Sequence, residues 1–351
     1  MTASPVRRKT PGRGQIARGA LRAFALLALM GASGGSARAD EPADRPGPFP
    51  IRDLNPFIQV YGLPPFEPAE LAPSRQVQLQ LALDVVNNAK VASGASESIT
   101  LDGETYRLAL TVRYGFTGWL EAGIEVPLVF HSSGVFDQFI ENWHALLGLP
   151  KGDRGDLPID ALDYSHRDQG QESIAVRSNQ QGVGDVRLLA AATLYRAPDD
   201  RREVSLHGSL KLPTGDSAHL LGSGSTDLAI SVNAVDRSLG SLGITGFGRL
   251  GLLAMGDGDV LATRQRHAVV FGGLGLGWRP GGRVDLKAQL DVHGSFYESE
   301  LRQLDATSVQ FTIGGSIFFG RATSLDVSVG ENLFIDTIPD VQLNITLSHR
   351  L

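Results

Sequence analysis

The sequence contains no cysteine and no apolar run long enough to cross a bilayer as a helix. The absence of cysteine among 351 residues excludes a disulfide framework, a lipoprotein anchor and thiolate metal sites. The apolar run at residues 23–32 is well short of the ~20 residues that a transmembrane helix needs, which excludes an inner-membrane helical bundle. Packing and backbone pairing must therefore stabilise the fold.

The N-terminus has the features of a secretory signal peptide. Six basic residues precede the apolar run, and Ala37-Arg38-Ala39 offers a small-x-small cleavage site. The alternative, a single-pass anchor, is disfavoured because Asp40 and Glu41 follow at once. We predict a Sec-exported chain cleaved after residue 39. The basic residues are Arg7, Arg8, Lys9, Arg13, Arg18 and Arg22.

Removal of residues 1–39, which carry seven Lys or Arg and no acid, changes the formal charge from −6 to −13. This charge argues against nucleic acid as a partner. Residues 40–74 are rich in proline and show neither helical nor strand periodicity. They predict an extended N-terminal segment, which would act as a plug or strap.

From residue 75 onward, apolar residues alternate with polar or small ones in stretches of about ten, which is typical of transmembrane β-barrel strands. The pattern predicts an all-β fold: a single antiparallel transmembrane β-barrel of about twelve strands over residues 75–351. The predicted strands are Arg75–Asn88, Glu104–Gly115, Gly118–Phe130, Gly184–Arg196, Arg202–Leu212, Thr226–Asp236, Leu242–Ala254, Arg266–Trp278, Arg283–Gly294, Thr307–Phe319, Thr323–Glu331 and Pro339–Leu351.

Connection lengths support a barrel, because short links alternate with long ones, such as 89–103 and 131–183. An even strand count places both termini in the periplasm, and the last strand is expected to pair with the first. Aromatic residues near both strand ends predict two interfacial bands. One band comprises Tyr114, Phe116, Trp119, Tyr195, Trp278, Phe318 and Phe319, and the other Phe130, Phe296, Tyr297 and Phe334.

The polar face of the strands carries charges of both signs, and we expect Arg113 to face Glu121 across a hairpin. Paired charges of this kind more often shape a barrel wall than recognise a substrate. No catalytic, cofactor-binding or metal-binding residue is predicted. The candidate lumen-lining residues are Arg107, Arg113, Glu121, Glu125, Arg187, His207, Lys211, Arg249, Lys287, Asp291 and His293.

The long link at residues 131–183 begins with apolar residues at helical spacing, which predicts a short helix in a long external loop. A loop of this length is usually functional, and we interpret the helix as a candidate lid. Its candidate residues are Phe136, Phe139, Ile140, Trp143 and His144.

Two motifs suggest chemistry. His131 and Ser133, two residues apart at a strand end, resemble the His-x-Ser of outer-membrane phospholipases and lipid A deacylases, so a lipid esterase is a remote alternative. KLPTGD (211–216) with GSGSTD (222–227) precedes a strand rather than a helix, which excludes a phosphate-binding loop. Turn chemistry at a loop base is the simpler interpretation.

Several of these segments carry a family likeness. With LDGETYRLALTVRYG, GVFDQFIENWHALLGLPKGDR, GVGDV and KLPTGD, the chain resembles the bacterial domain-of-unknown-function 3187 family from PFPIRDLNPF onward. KLPTGD with its glycine-rich return also resembles outer-membrane transporters linked to aromatic-compound degradation. The resemblance implies the outer membrane and supplies no catalytic residues.

These observations favour a non-enzymatic, passive channel or transporter for small molecules in the bacterial outer membrane. The expected partners are outer-membrane lipid, the barrel-assembly machinery during insertion and a small-molecule solute, with no cofactor. The alternative is a structural or envelope-interaction barrel with a filled lumen. An open lumen would favour transport, and a blocked one would not.

Overall fold

A computed structural model describes residues 46–133, 161–332 and 341–351. Fifteen strands form one antiparallel sheet. In chain order they are β1 Val77–Ser93, β2 Glu97–Gly115, β3 Leu120–Ser132, β4 Asp163–Asp168, β5 Gln171–Val176, β6 Gln180–Val183, β7 Arg187–Arg196, β8 Arg202–Lys211, β9 Asp227–Asp236, β10 Ile244–Met255, β11 Ala268–Gly281, β12 Val284–His293, β13 Ser308–Phe319, β14 Thr323–Asn332 and β15 Val341–Arg350.

Twelve of these strands close into a barrel, as the alternation predicts. Each barrel strand pairs with the next one along the chain, except that β3, which pairs with β2 on one side, pairs with β7 on the other. The sheet closes where β1 meets β15, from Gln78↔Arg350 to Asn87↔Val341. Short 3-10 helices occur at Ser217–His219 and Gly240–Leu242. No helix among the described residues is long and apolar enough to cross a membrane.

The two faces of the barrel wall differ as the period-two pattern requires. On β11, Leu274 and Leu276 point outward and are 61% and 60% exposed, whereas Phe271 on the same strand points inward and is buried. Exposed Leu, Ile and Val side chains continue this outer belt around the other strands. Such an apolar outer band opposite a polar inner face is typical of barrels that contact lipid.

Two of the predicted links are wrong, because strands occupy them. The 89–103 link is the continuation of β1 and β2 to a turn at residues 94–96. The 131–183 link contains the end of β3 and three further strands: the β4–β5 hairpin pairs with the extension of β2, and β6 pairs with the end of β3. These extensions pair backbone groups beyond the apolar belt, where the alternation of lipid-facing and lumen-facing residues is not required.

The predicted pairing of Arg113 with Glu121 is displaced by two residues. The turn after β2 spans four residues, with Phe116 N donating to Leu120 O at 2.9 Å, so Arg113 lies opposite Gly123 and Glu121 lies opposite Gly115. Arg113 Nε and Glu121 Oε1 still approach diagonally, at 3.6 Å. A turn of four rather than two residues accounts for the shift.

Among the described residues the first aromatic band largely faces outward, whereas the second consists of half-buried Phe130 and two buried rings. At the short-turn end Trp119 and Trp278 are 58% and 48% exposed. At the opposite end Phe296 and Tyr297 are completely buried, and Phe318 of the first band is buried beneath the Arg279 guanidinium. The candidate lid residues Phe136, Phe139, Ile140, Trp143 and His144 lie outside the described residues, as do Phe334 and the signal peptide.

Candidate functional site

The lumen of the barrel is occupied by residues 46–74, which we call the luminal segment. Its first residues lie against inward-facing Gly277, near the short-turn end of β11. The chain reverses at a turn where Ile58 N donates to Asn55 O at 2.8 Å, and it returns to the short-turn end, where Ser74 bridges Gly115. Within the segment every residue except Ser74 is buried or half-buried. Glycines on the inner face of β11 make room for it: a Cβ on Gly273 would lie 3.1 Å from the Phe66 ring.

An ion cluster joins the segment to β2 and β3. Arg52 Nη2 donates to both carboxylate oxygens of Glu125 at 2.7 Å, and Arg107 Nη2 donates to Oε1 at 2.6 Å. Arg187 Nη2 lies 3.9 Å from the same carboxylate. All four side chains are buried, so the Arg52–Glu125 ion pair is poorly screened by solvent.

Glu67 makes the second polar anchor. Its carboxylate accepts from Arg113 Nη2 at 2.5 Å and from His207 Nδ1 at 2.9 Å, and its carbonyl accepts from Asn233 Nδ2 at 2.8 Å. Burial acts to raise the pKa of Glu67, but the Arg113 guanidinium, His207 and Arg187 outweigh it and hold that pKa well below its usual range. Glu67 is therefore ionised in the docked segment.

A third set of contacts fixes the segment to β12. His293 Nε2 lies 3.0 Å from Asp53 Oδ2. Gln289 exchanges two hydrogen bonds with the backbone of Phe49, at 2.8 and 3.1 Å. Lys287 lies 4.0 Å above the Phe49 ring, an arrangement in which the ring face attracts the cation.

Arg249 of β10 completes this side of the lumen. It donates to Pro64 O at 3.0 Å and to Asp291 Oδ1 at 2.8 Å. Its guanidinium also lies 4.9 Å from the centre of the Phe66 ring. The wall thus holds the segment through both its backbone and its side chains.

The KLPTGD motif anchors a loop, in agreement with the turn chemistry that its sequence suggests. Lys211 Nζ donates to Asp185 Oδ2 at 2.6 Å and to Ser225 O at 2.9 Å, and it lies 3.3 Å from Asp227 Oδ2. Asp185 also accepts from the backbone N–H groups of Gly215 and of Ser223. The buried lysine therefore ties the loop between β8 and β9 to the wall, while Gly62 N of the segment donates to Asp227.

An apolar cluster covers the long-loop end of the lumen. The reversal of the segment contributes Phe57 and Tyr61, which pack with Phe296 and Tyr297 from the loop after β12. Tyr61 donates to Val260 O at 3.1 Å and Tyr297 donates to Phe57 O at 2.7 Å. Both buried hydroxyls thus have partners, as burial requires.

The wall formed by β13, β14 and β15 is different. Among the described residues, no hydrogen bond or ion pair joins the luminal segment to these three strands. Apart from Asp326, which pairs with Lys287, their inner face carries mainly hydroxyl and amide groups. The buried hydroxyls of Ser308, Thr312 and Ser328 have no hydrogen-bond partner in the described part of the chain. We call this face the polar seam. Its alternating Ser, Thr, Asn and Gln residues were visible in the sequence but passed over because they are uncharged.

All eleven candidate lumen-lining residues are buried on the inner face. The structure brings them into three groups, and the segment residues that complete two of those groups, Arg52, Asp53 and Glu67, were not predicted. The first group is Arg107, Arg113, Glu121, Glu125, Arg187 and His207, the second is Lys211, and the third is Arg249, Lys287, Asp291 and His293. Glu121 accepts from the backbone N–H of Ala72.

The esterase hypothesis lacks a free base. His131 is buried, its Nε2 lies 3.1 Å from Leu220 O and its Nδ1 lies 2.9 Å from Thr105 Oγ1. A carbonyl can only accept, so Nε2 carries the proton and Nδ1 accepts from the threonine hydroxyl. Neither nitrogen is available to Ser133 in this structure. The described residues contain no group of three or more potential metal ligands.

Comparison with known proteins gives a family and a fold. The model of a family described as "Protein of unknown function (DUF3187)" matches residues 35–351. The COG4313 outer membrane channel from Pseudomonas putida F1 superposes with a TM-score of 0.54 at 14% identity, covering 81% of this chain and 98% of that one. A search of curated proteins found no match.

Two further structures are less similar. The NanC porin gives a TM-score of 0.43 at 9% identity, covering 78% of this chain and 100% of that one. The P. putida toluene transporter TodX gives a TM-score of 0.36 at 13% identity, covering 80% and 90%. Of these three structures, the COG4313 channel has a score above 0.5 and supports the shared barrel fold.

Proposed function

For this chain, which belongs to the DUF3187 family of proteins of unknown function, we propose a passive outer-membrane channel for small solutes that residues 46–74 plug in the resting state. The proposal rests chiefly on one observation. The lumen is filled by a separate, aperiodic segment, and the ion pairs that cross it run from wall to segment, as in Arg113–Glu67 and Glu125–Arg52. Withdrawal of the segment would therefore open a polar pore.

The polar interface between the luminal segment and the barrel wall supports a lumen that fills with water when the segment leaves. Buried ion pairs are often no more stabilising than apolar residues of similar volume. A permanently filled barrel would therefore lose little stability if apolar residues filled its lumen. Here the wall that faces the segment carries arginine, lysine, aspartate and glutamate, and the polar seam carries unpaired hydroxyls. Once the segment is displaced, water would solvate all of these groups.

The exposed apolar belt and the interfacial tryptophans support a place in a membrane, and the signal peptide predicted at residues 1–39 supports export to the outer membrane of a bacterium. In that location both termini would be periplasmic. The name of the superposed P. putida channel agrees with a transport role. Which solute passes is left to the experiment.

A structural barrel with a filled lumen is the second candidate, and the blocked lumen favours it by the criterion set from the sequence. The observation in its favour is that the luminal segment is buried and that two cavities beside it are small, at about 10 and 20 Å³. The larger volume holds about one water molecule. A barrel of this second kind would stay impermeable even without its segment.

Liposome swelling separates the two candidates. Proteoliposomes that contain the full chain or a variant lacking residues 46–72 are diluted into isosmotic arabinose or glucose. The channel proposal expects slow swelling for the full chain and rapid swelling for the deletion variant. Equal, slow swelling of two correctly folded proteins would support the filled barrel instead.

Lipid ester hydrolysis tests the remote alternative. The variant Ser133→Ala and the wild type are expected to release fatty acid from phospholipid vesicles at the same background rate. A rate that depends on Ser133 would revive the esterase hypothesis.

A further inference from the structure

A small cavity lies between the luminal segment and the wall, beside Lys211 and Asp185. Arg52 and Gln59 of the segment line one side, and Arg107, Arg187 and Lys211 line the other. Its volume of about 20 Å³ suits a single water-sized ligand. The cavity therefore takes one small species, not a sugar or an aromatic ring.

Two of the residues that line this space carry unpaired donors. Arg187 is only 1% exposed, and its Nη1 donates to Leu63 O at 3.3 Å, yet Nε and Nη2 have no hydrogen-bond partner among the described residues. Both polar atoms of the Gln59 side chain are also buried without a partner. Buried polar groups are normally hydrogen-bonded, and an unpaired guanidinium donor is especially unfavourable. A ligand that accepts hydrogen bonds would satisfy the three donors, Arg187 Nε, Arg187 Nη2 and Gln59 Nε2.

The nearby carboxylates are already engaged. Arg52 and Arg107 both donate to Glu125, which leaves Arg187 at 3.9 Å. Asp185 accepts from Lys211 and from two backbone N–H groups. The cavity lining itself carries four cationic side chains and one carboxylate, and Glu125 and Asp227 pair with three of these cations from beyond the lining. Burial, together with the neighbouring Arg107 and Arg187 guanidinium groups, lowers the pKa of Arg52 well below its usual range, against the opposing effect of Glu125 and Asp84.

We propose that the cavity binds one halide-sized monovalent anion, which accepts from Nε and Nη2 of Arg187 and from the side-chain amide of Gln59. An anion offsets the repulsion among the guanidinium groups, which a neutral water molecule does not. Because Gln59 belongs to the segment and Arg187 to the wall, the bound anion links the two. The site does not depend on whether the barrel conducts.

Thermal unfolding of the detergent-solubilised full chain tests the site. Sodium bromide replaces sodium gluconate at constant ionic strength, so that general screening is unchanged. Because the anion binds the folded state, the unfolding temperature should rise by about 2–4 °C and saturate with bromide concentration. No bromide-specific rise in the wild type, or a rise that increases without saturation, would overturn the proposal.

Two matched substitutions locate the effect. Gln59→Leu removes the segment donor, whereas Gln303→Leu removes another largely buried glutamine that does not line the cavity. Bromide should stabilise the Gln303→Leu variant as it does the wild type and should have no specific effect on Gln59→Leu. If Gln59→Leu keeps the saturable response, the anion binds elsewhere and the proposal is wrong. Arg187→Gln should behave as Gln59→Leu does. If Arg187→Gln fails to fold, the comparison of Gln59→Leu with Gln303→Leu decides the question.

Anomalous diffraction from crystals grown in bromide identifies the occupant. The expected result is a bromide peak within hydrogen-bond distance of Arg187 Nε. A non-anomalous peak refined as water at that position would overturn the proposal. Acetate in place of bromide distinguishes a halide from a solute carboxylate: stabilisation by acetate equal to that by bromide would contradict the halide-sized site.

Discussion

Replacement of Glu67 by glutamine should open the lumen. Glu67 is buried where the returning half of the luminal segment meets β2 and β8, and it accepts from Arg113 and from His207. Glutamine has nearly the same size but no charge. The substitution therefore leaves the backbone of the barrel wall intact and removes one partner of a buried ion pair.

The magnitude follows from the surroundings of Arg113. Removal of one partner from a buried ion pair costs about 3–5 kcal/mol. Glu121 lies 3.6 Å from Arg113 Nε and takes over part of the pairing, so we expect the lower end, about 3 kcal/mol. At about 1.4 kcal/mol for each factor of ten, the ratio of undocked to docked segment should rise about 100-fold. Since the barrel conducts only when the segment is undocked, the open-time fraction should rise by a similar factor.

Single-channel recording in planar bilayers measures this fraction. The matched control is Glu298→Gln, the same chemical change at a glutamate that is 74% exposed and paired with Arg266 across 3.5 Å. An exposed pair of this kind contributes about 0–1 kcal/mol, so the control should record as wild type. The reasoning fails if Glu67→Gln shows the wild-type open fraction, or if Glu298→Gln raises it as much.

Two further predictions concern the lipid-facing belt and pH. Leu274→Arg places a charge near the middle of β11 and should destabilise the folded barrel in lipid vesicles by about 2–4 kcal/mol. The control Leu242→Arg, at a similarly exposed residue of a short turn, should cost about 0–1 kcal/mol. Equal urea midpoints for the two variants would contradict the assigned belt. Because the folded-state pKa of Glu67 is depressed, its contribution to docking is complete above its unfolded pKa of about 4.3 and is lost only as pH falls towards the folded value. Conductance at about pH 5 should therefore equal that at pH 7, and opening at pH 5 would show that another group controls the segment.

The barrel could be predicted from the sequence because its determinants are local. Alternation along each strand reports which face meets lipid, and link lengths report which strand ends lie together. The terminal strand β15 was correctly expected to pair with β1. The extensions of β1 and β2 to residues 94–96 were missed because beyond the apolar belt neither face meets lipid, so the alternation that identifies a strand disappears.

The occupied lumen could be predicted only in outline. Proline and the lack of periodicity identify residues 40–74 as extended, but they do not say where the segment lies. Its partners are far away in sequence: Asp53 and His293 are 240 residues apart, and Glu67 and His207 are 140 apart. The charged wall residues were visible on the inner face, but pairing them with Arg52, Asp53 and Glu67 requires the closed barrel.

The central claim, a channel plugged by its own N-terminal segment, is tested most directly by cutting that segment from a single inserted barrel. Ser74 and Arg75 are exposed at the short-turn end, so a protease site inserted between them is accessible from that side of a planar bilayer. We predict a silent membrane before cleavage and stable current steps after protease addition and perfusion, with no change for the chain that lacks the site. A barrel that is fully cleaved and still carries no current would contradict the account.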